Sequence, residues 1–240
     1  MSARADSEDL GASLRRLAQQ HQGATVLETS LRELVDACNG IFRLRGSGVM
    51  LADEHGELRY ALASDRTSQL LEDAQLATGE GPCVDTFVRA ELVSCSDVRN
   101  DPRWPALGPR LAGQPVGAVL GVPIRFASVT VGSLDVYQER EHEWDDSERN
   151  ALSRYGAVAG QLLVAAVSAE CSGVLADQLT HAVQHRAPIE RGVGYLMARD
   201  GIGQVESFNR LRAAARSSRR AMGDVADALL RTGRLPAEDR

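Results

Sequence analysis

Five arginines crowd one short stretch near the C-terminal end: Arg210, Arg212, Arg216, Arg219 and Arg220. Positions 212, 216, 219 and 220 follow i, i+4, i+7, i+8 spacing and share one face of a helix that runs that far. Phe208, Leu211, Ala215 and Met222 lie away from that face, towards an interior. Clustered guanidinium groups pair bidentately with phosphates and stack on unpaired bases, which suits the loop of an RNA hairpin. Arginine also reads guanine edges in a DNA major groove, and a solvated charged helix is the plainer alternative.

Three other constellations invite chemistry. Asp177, His181 and His185 fall on one stripe at i, i+4, i+8, but a metal site needs three or four ligands and no further one is evident, so a polar stripe is expected. Cys83 follows Gly-Pro at an expected helix N-terminus, where the dipole lowers a thiol pKa and would suit a redox sensor; a buried structural thiol is the favoured alternative. His21, His55 and His142 are isolated. The chain contains no lysine, which excludes Schiff-base and P-loop lysine chemistry. No paired carboxylates flank a nucleophile, so neither catalysis nor a cofactor is expected.

The 240 residues, 43% hydrophobic, suit two modest domains or one large one. The formal charge of −6 is unevenly spread: residues 1–170 carry 16 Arg against 25 acidic residues, and residues 171–240 carry 11 against 8. An acidic body with a basic tail points to an anionic partner for the tail. No apolar run approaches the ~18 residues of a membrane span. The start, Met1 to Gln20, lacks the apolar core of a secretory signal. Cysteines at 38, 83, 95 and 171 are too scattered for a disulfide scaffold or a CxxC metal site, so a reducing cytoplasm is expected.

The elements that must position these residues can be read from periodicity. Ser7–Gln20 and Thr25–Cys38 are expected helices, the second ended by Asn39-Gly40. Gly48–Ala52 and Leu58–Ala63 read as strands around the turn at residues 53–56. Thr67–Ala77 is an expected helix with Leu70, Leu71 and Ala74 inward. Gly79-Glu80-Gly81-Pro82 forces a loop before a short helix over Cys83–Ala90. Leu92–Cys95 is a strand, a helical stretch ends near Ala112, and Val116–Arg125 with Val129–Tyr137 form a hairpin.

Asp145 and Glu148 fit a capping box, followed by a stripe of Leu152, Tyr155, Ala159, Leu162, Ala166 and Ala169 that resumes at Leu175, Leu179 and Ala182. A stripe this long predicts pairing with a second copy of the chain, with a bend at Gly173. Pro188 is expected to start the next helix, Asp200-Gly201 to stop it, and Gly203–Ser218 and Gly223–Arg231 to complete a helical bundle separate from the sheet.

The run Gly79-Glu80-Gly81-Pro82-Cys83, then Asp101-Pro102-Arg103-Trp104-Pro105, then Gly132-Ser133-Leu134-Asp135-Val136-Tyr137, resembles the GAF domains of actinobacterial regulators over roughly residues 24–168. The tail resembles the ANTAR domain, an RNA-binding antitermination module. The matching residues are Ile189-Glu190-Arg191, Gly194, Leu196-Met197, Gly201-Ile202, Ser207-Phe208, Leu211-Arg212, Ala215 and Val225-Ala226. ANTAR domains usually carry Ala-Lys-Gly where this chain has Gly192-Val193-Gly194, so one phosphate contact is gone. Histidines are not placed as a haem GAF domain would need, and the Asn-Lys-Phe-Asp-Glu pattern of cyclic-nucleotide GAF domains is missing.

The resemblance implies an α+β GAF sandwich, an antiparallel sheet flanked by helices, followed by a long helix and an all-α three-helix ANTAR bundle. The expected division is an N-terminal helical segment over 1–23, a GAF sensor over 24–170 and the RNA-binding domain over 171–236. It implies a cytoplasmic, homodimeric transcription antiterminator. A small molecule or protein signal would act at the GAF domain, and nascent mRNA hairpins would bind through Arg191, Gly194, Met197, Arg212, Arg216, Arg219 and Arg220. The alternative is a sensory protein-interaction module that does not bind RNA.

Overall fold

The computed structural model describes residues 24–42, 44–53, 55–126, 128–168 and 174–236. The expected helix over Ser7–Gln20, Cys171 and the bend at Gly173 lie outside them, as do the side chains of Asp177, His181 and His185.

Helix α1 (Ala24–Phe42) leads into strands β1 (Gly46–Ala52) and β2 (Leu58–Ala63). Helices α2 (Arg66–Thr78) and α3 (Pro82–Arg89) precede β3 (Val93–Cys95) and the single turn α4 (Leu107–Arg110). The hairpin β4 (Ala118–Phe126) and β5 (Val129–Gln138) is followed by α5 (Asp146–Ser168), α6 (Val174–Asp200), α7 (Gln204–Ser218) and α8 (Met222–Thr232). The sheet runs β2-β1-β5-β4-β3, and every neighbouring pair is antiparallel.

Alternation along the strands sorts the sheet into two faces. Val49, Leu51, Leu120, Val122, Leu134 and Val136 pack with Leu34 and Val35 of α1 and with Leu152, Tyr155, Ala159 and Leu162 of α5. The capping box forms as expected: Asp145 N donates to Glu148 Oε2 at 2.8 Å, and Glu148 N donates to Asp145 Oδ1 at 2.9 Å. The described part of the stripe, Leu152, Tyr155, Ala159 and Leu162, packs inside its own domain.

The opposite face carries Met50, Ala52, Val119 and Tyr137. It is covered by α2, α3 and the C-terminal helices. Met50, Ala52, Cys83, Phe87 and Val88 share one buried cluster with Ile189, Val193, Leu196, Phe208, Leu211, Met222 and Val225. The helical bundle is thus not separate from the sheet domain, because its apolar faces are completed by the sensor's own.

Three local expectations also change. Helix α1 runs through Asn39-Gly40 to Phe42, and the Asn39 carbonyl accepts from Leu44 N at 3.2 Å as the chain turns into β1. Leu70 is exposed, since α2 turns Ser68, Leu71, Glu72, Ala74 and Gln75 inward instead. Pro188 lies inside α6 rather than at its start. The flanking Arg186 and Ile189 are both buried against the sensor, and this packing offsets the lost backbone bond. Helix α7 stops at Ser218, where its expected end lay, and Arg219 forms its left-handed cap at φ 53°, so Arg219 and Arg220 lie beyond the helix. No helix of the described residues is long and apolar enough to cross a membrane.

Candidate nucleic-acid interface

Five of the seven residues expected to meet RNA line two clefts. Arg216, Arg219 and Arg220 line a cleft of about 420 Å³ between the α7–α8 turn and the β1–β2 hairpin, which contributes His55, Glu57 and Arg59. Gly194 and Met197 line a second cleft of about 390 Å³ with Arg89, Arg186, Gln204 and Phe208. Arg191 is exposed on α6, and its Nε donates to its own helix at Ala187 O, 3.4 Å away.

The expected arginine face does not hold as a unit. Arg216 is clamped bidentately, its Nε and Nη2 donating to Glu57 Oε1 and Oε2 at 2.8 and 2.9 Å. That bond raises the Arg216 pKa. Arg212 is only 9% exposed and presses on the loop after α2. Gly79 adopts φ +71° there, and a Cβ at this position would run into the Arg212 guanidinium. Burial, and then the neighbouring Arg216 charge, push the Arg212 pKa down. Arg219 and Arg220 have left the helix axis and remain exposed, with Arg220 Nη2 donating to Asp224 O at 3.2 Å.

The docking of the bundle is polar at its edges and aromatic at its centre. Phe87 meets Phe208 edge-on, with ring centroids 5.9 Å apart, and the Arg186 guanidinium lies 4.2 Å over the Phe87 ring. Arg186 Nη2 also donates to Phe87 O at 3.1 Å, while its Nε pairs with Glu190 at 2.9 Å. Burial lowers the Arg186 pKa. Gln204 Nε2 donates to Val88 O, Asn209 Nδ2 to Gly79 O, both at 2.9 Å, and Met222 N to His55 O at 3.2 Å. Val193, which stands in the Gly-Val-Gly run, is 6% exposed and packs into this shared cluster. Arg186, Glu57 and Arg59 were not singled out from sequence; their partners are too distant along the chain for spacing to reveal them, Arg216 lying 159 positions from Glu57.

Cys83 is fully buried, and its thiol pKa is pushed up by burial and by the Asp135 and Glu72 charges. The lowering expected from the helix dipole does not prevail, which removes the ground for a reactive thiolate. On the other side of the sheet an open groove of about 770 Å³ runs between Leu92, Val122 and Arg125 and the Gly156–Val164 stretch of α5.

Residues 26–163 match the family model of the GAF domain, and residues 177–230 match that of the ANTAR domain. Among solved structures, the chain is similar to a free methionine-R-sulfoxide reductase from Neisseria meningitidis in complex with its substrate. The two share 15% identity over 68% of this chain and 90% of that one, with a TM-score of 0.52. It is also similar to the GAF domain of a phosphoenolpyruvate-protein phosphotransferase from Coxiella burnetii, at 19% identity over 76% of this chain and 99% of that one, TM-score 0.51. The corresponding domain from Acinetobacter matches at 18% identity over 65% and 94%, TM-score 0.50. At these identities the likenesses establish the fold alone. No curated protein matches the chain. With more than half its length matched and the antiparallel sheet formed, the chain belongs to the GAF-domain family and carries an ANTAR domain behind its sensor.

Proposed function

We propose that this chain is a signal-responsive transcription antiterminator of the cytoplasm that binds nascent mRNA hairpins through its ANTAR domain. In the state described here the GAF domain holds that domain closed. The observation that carries the reading is the clamp on α7: Arg212 is buried against Gly79 and Arg216 is locked on Glu57, both sensor residues. Arg191, Gly194, Met197, Arg219 and Arg220 make the surface that remains open, and Arg212 and Arg216 join it when the bundle lifts away.

The signal, a small molecule or a protein partner, acts by binding the lifted state better than the docked one; equal affinity for both would shift nothing. The reading is regulatory rather than catalytic.

The test uses the full chain and a pool of RNA stem–loops with randomised loops. Binding is expected to weaken steeply with salt as arginine–phosphate contacts release counterions. It should collapse when Arg212, Arg216, Arg219 and Arg220 are all replaced by Ala. A flat salt response, or binding that survives the quadruple replacement, overturns the assignment.

A second reading, a sensory protein-interaction module without RNA binding, draws on Val193. An apolar side chain packed in the shared core stands where the family's usual lysine contact would be. Capture of a protein partner that persists after ribonuclease treatment, together with no RNA crosslinks, would favour it.

A further inference from the structure

We infer that Glu72, Cys83 and Asp135 form a buried site for one divalent transition-metal ion, with zinc best suited to their mixed sulfur and oxygen donors, and that the Thr86 hydroxyl is aimed into it. The three residues come from α2, α3 and β5, and their ligand atoms all lie within 4.8 Å of one another. All three are essentially excluded from solvent. Tetrahedral zinc, with bonds near 2.0–2.3 Å, places its ligands about 3.5 Å apart, a distance that small rotamer shifts reach from here.

The sheet makes room for the cluster on purpose. Gly48 and Gly121 stand where side chains of β1 and β4 would otherwise fill this face. A Cβ at Gly48 would approach Glu72 Oε1 to 2.9 Å. A Cβ at Gly121 would meet Asp135 Oδ1 at 2.5 Å and Thr86 Oγ1 at 2.7 Å, so these two oxygens converge on one point above the strand.

Both of those oxygens are buried without a hydrogen-bond partner, and Thr86 is 0% exposed. Such orphaned groups are costly unless something binds them. The rest of the cluster is well tied. Cys83 N donates to Gln75 Oε1 at 2.8 Å, and Gln75 Nε2 donates to Glu72 Oε2 at 3.1 Å. Ser133 Oγ donates to Asp135 Oδ2 at 2.7 Å, and the Cys83 thiol lies 3.0 Å from Ser133 Oγ, within hydrogen-bond reach of the Glu72 and Asp135 carboxylates as well. Only the face shared by Asp135 Oδ1 and Thr86 Oγ1 lacks a partner.

Charge argues the same way. The charged groups acting on Glu72 are Asp135 and Asp73, and those acting on Cys83 are Asp135 and Glu72, all acidic. No basic side chain is among the groups acting on Glu72 or Cys83, so the cluster gathers acidic groups in a buried place without a cation from the chain beside them. A cation replaces the protons that otherwise neutralise the cluster: three metal–ligand bonds form, three protons leave to solvent, and no electron moves. Helix α3 carries Cys83 and Thr86 at this site and Phe87 and Val88 at the ANTAR contact, so occupancy is felt on the element that holds the bundle.

The test is cobalt(II) titration of the chelator-treated full chain, with zinc as competitor. One equivalent should bind per chain with a thiolate-to-cobalt charge-transfer band that zinc abolishes. Cys83→Ala should remove the band, and Asp135→Asn should weaken apparent affinity about tenfold or more. Cys38→Ala, Cys95→Ala and Cys171→Ala should keep it. Should Cys83→Ala not fold by circular dichroism, the near-isosteric Thr86→Val, which removes only the orphaned hydroxyl, should lower cobalt affinity several-fold. Absence of a thiolate band in the wild type, a band that survives Cys83→Ala, or unchanged affinity in Thr86→Val overturns the site. None of these readouts involves RNA, so the site and the antiterminator reading fail separately.

Discussion

The arginines of the C-terminal unit divide into a held set and an open set. Arg186, Arg212 and Arg216 face the sensor: one lies over the Phe87 ring, one is buried at Gly79 and one is bidentate on Glu57. Arg191, Arg219 and Arg220 face solvent. The held set is not uniform: Arg186 and Arg212 are buried, whereas Arg216 stays half-exposed in the cleft it shares with Arg219 and Arg220 and is engaged there by Glu57. On the proposed reading, the difference between the two sets places control in how the bundle docks rather than in the chemistry of its side chains. The acidic body also acquires a role, since Glu57 competes with any phosphate for Arg216.

The largest effect is expected at the centre of the docking surface. Phe208 is 3% exposed between the two units, and Phe208→Ala should cost about 3–5 kcal/mol in denaturant unfolding. Because the two units share one buried cluster, the wild type should unfold in a single transition. Two well-separated transitions would show that the docked core is not cooperative.

The salt dependence of RNA binding sharpens the split between the sets. Replacing the open pair Arg219 and Arg220 by Ala should reduce the slope of log K against log salt by about 1.4, as expected for two contacts to single-stranded RNA. Replacing the held pair Arg212 and Arg216 should leave that slope nearly unchanged in the resting chain and reduce it once the bundle is released. Equal slope changes for both pairs in the resting chain would erase the distinction.

A smaller effect separates the backbone role of Arg219 from its charge. It caps α7 at φ 53°, where a side chain is strained and glycine is not. Arg219→Gly should therefore stabilise the chain by about 0.5–1 kcal/mol while weakening RNA binding. Thermal unfolding and polarisation together read the two signs.

The smallest effect is a control within the sensor. Hydrogen bonds from Arg103 hold Asp101 down at about 2. A carboxylate whose folded pKa lies below its unfolded value near 3.9 stabilises the fold above that value. The contribution is lost as pH falls from about 4 through 2. Asp101→Asn should flatten acid unfolding in that window and leave RNA binding unchanged, because this pair does not bridge the two units.

Much of the scaffold was legible in the sequence. The β1–β2 and β4–β5 strands stand out as short, largely apolar runs around turns, the Asp145–Glu148 box marks the start of α5, and Gly201 and Gly233 close α6 and α8 in left-handed turns. What period and spacing could not show is where a helix face goes once it is formed. Leu70 fits the apolar stripe of α2, yet inward positions go to Ser68, tied to the N-cap Asp65, to Glu72, tied to Gln75 of the same helix, and to Gln75, which accepts from Cys83 N of α3. Pro188 carries a start signal that tertiary packing overrides. The i, i+4, i+7, i+8 arginine face assumed a helix through residue 220, whereas the αL cap at Arg219 splits it. The Glu57–Arg216 and Gly79–Asn209 contacts join residues 159 and 130 positions apart, beyond any local pattern.

A sensor that withholds part of the RNA-binding surface, as proposed above, should release it on charge reversal at Glu57. Glu57→Arg replaces the clamp on Arg216 with like-charge repulsion while leaving every ANTAR residue in place. Binding of the stem–loop pool to the full chain, measured beside the wild type at one salt concentration, should tighten by about tenfold or more, equivalent to about 1.4 kcal/mol. Because the substitution itself adds positive charge, Arg59→Glu,Glu57→Arg restores the local charge balance of the hairpin and should retain the gain. Unchanged or weaker binding in both variants, with the fold intact, would contradict the account.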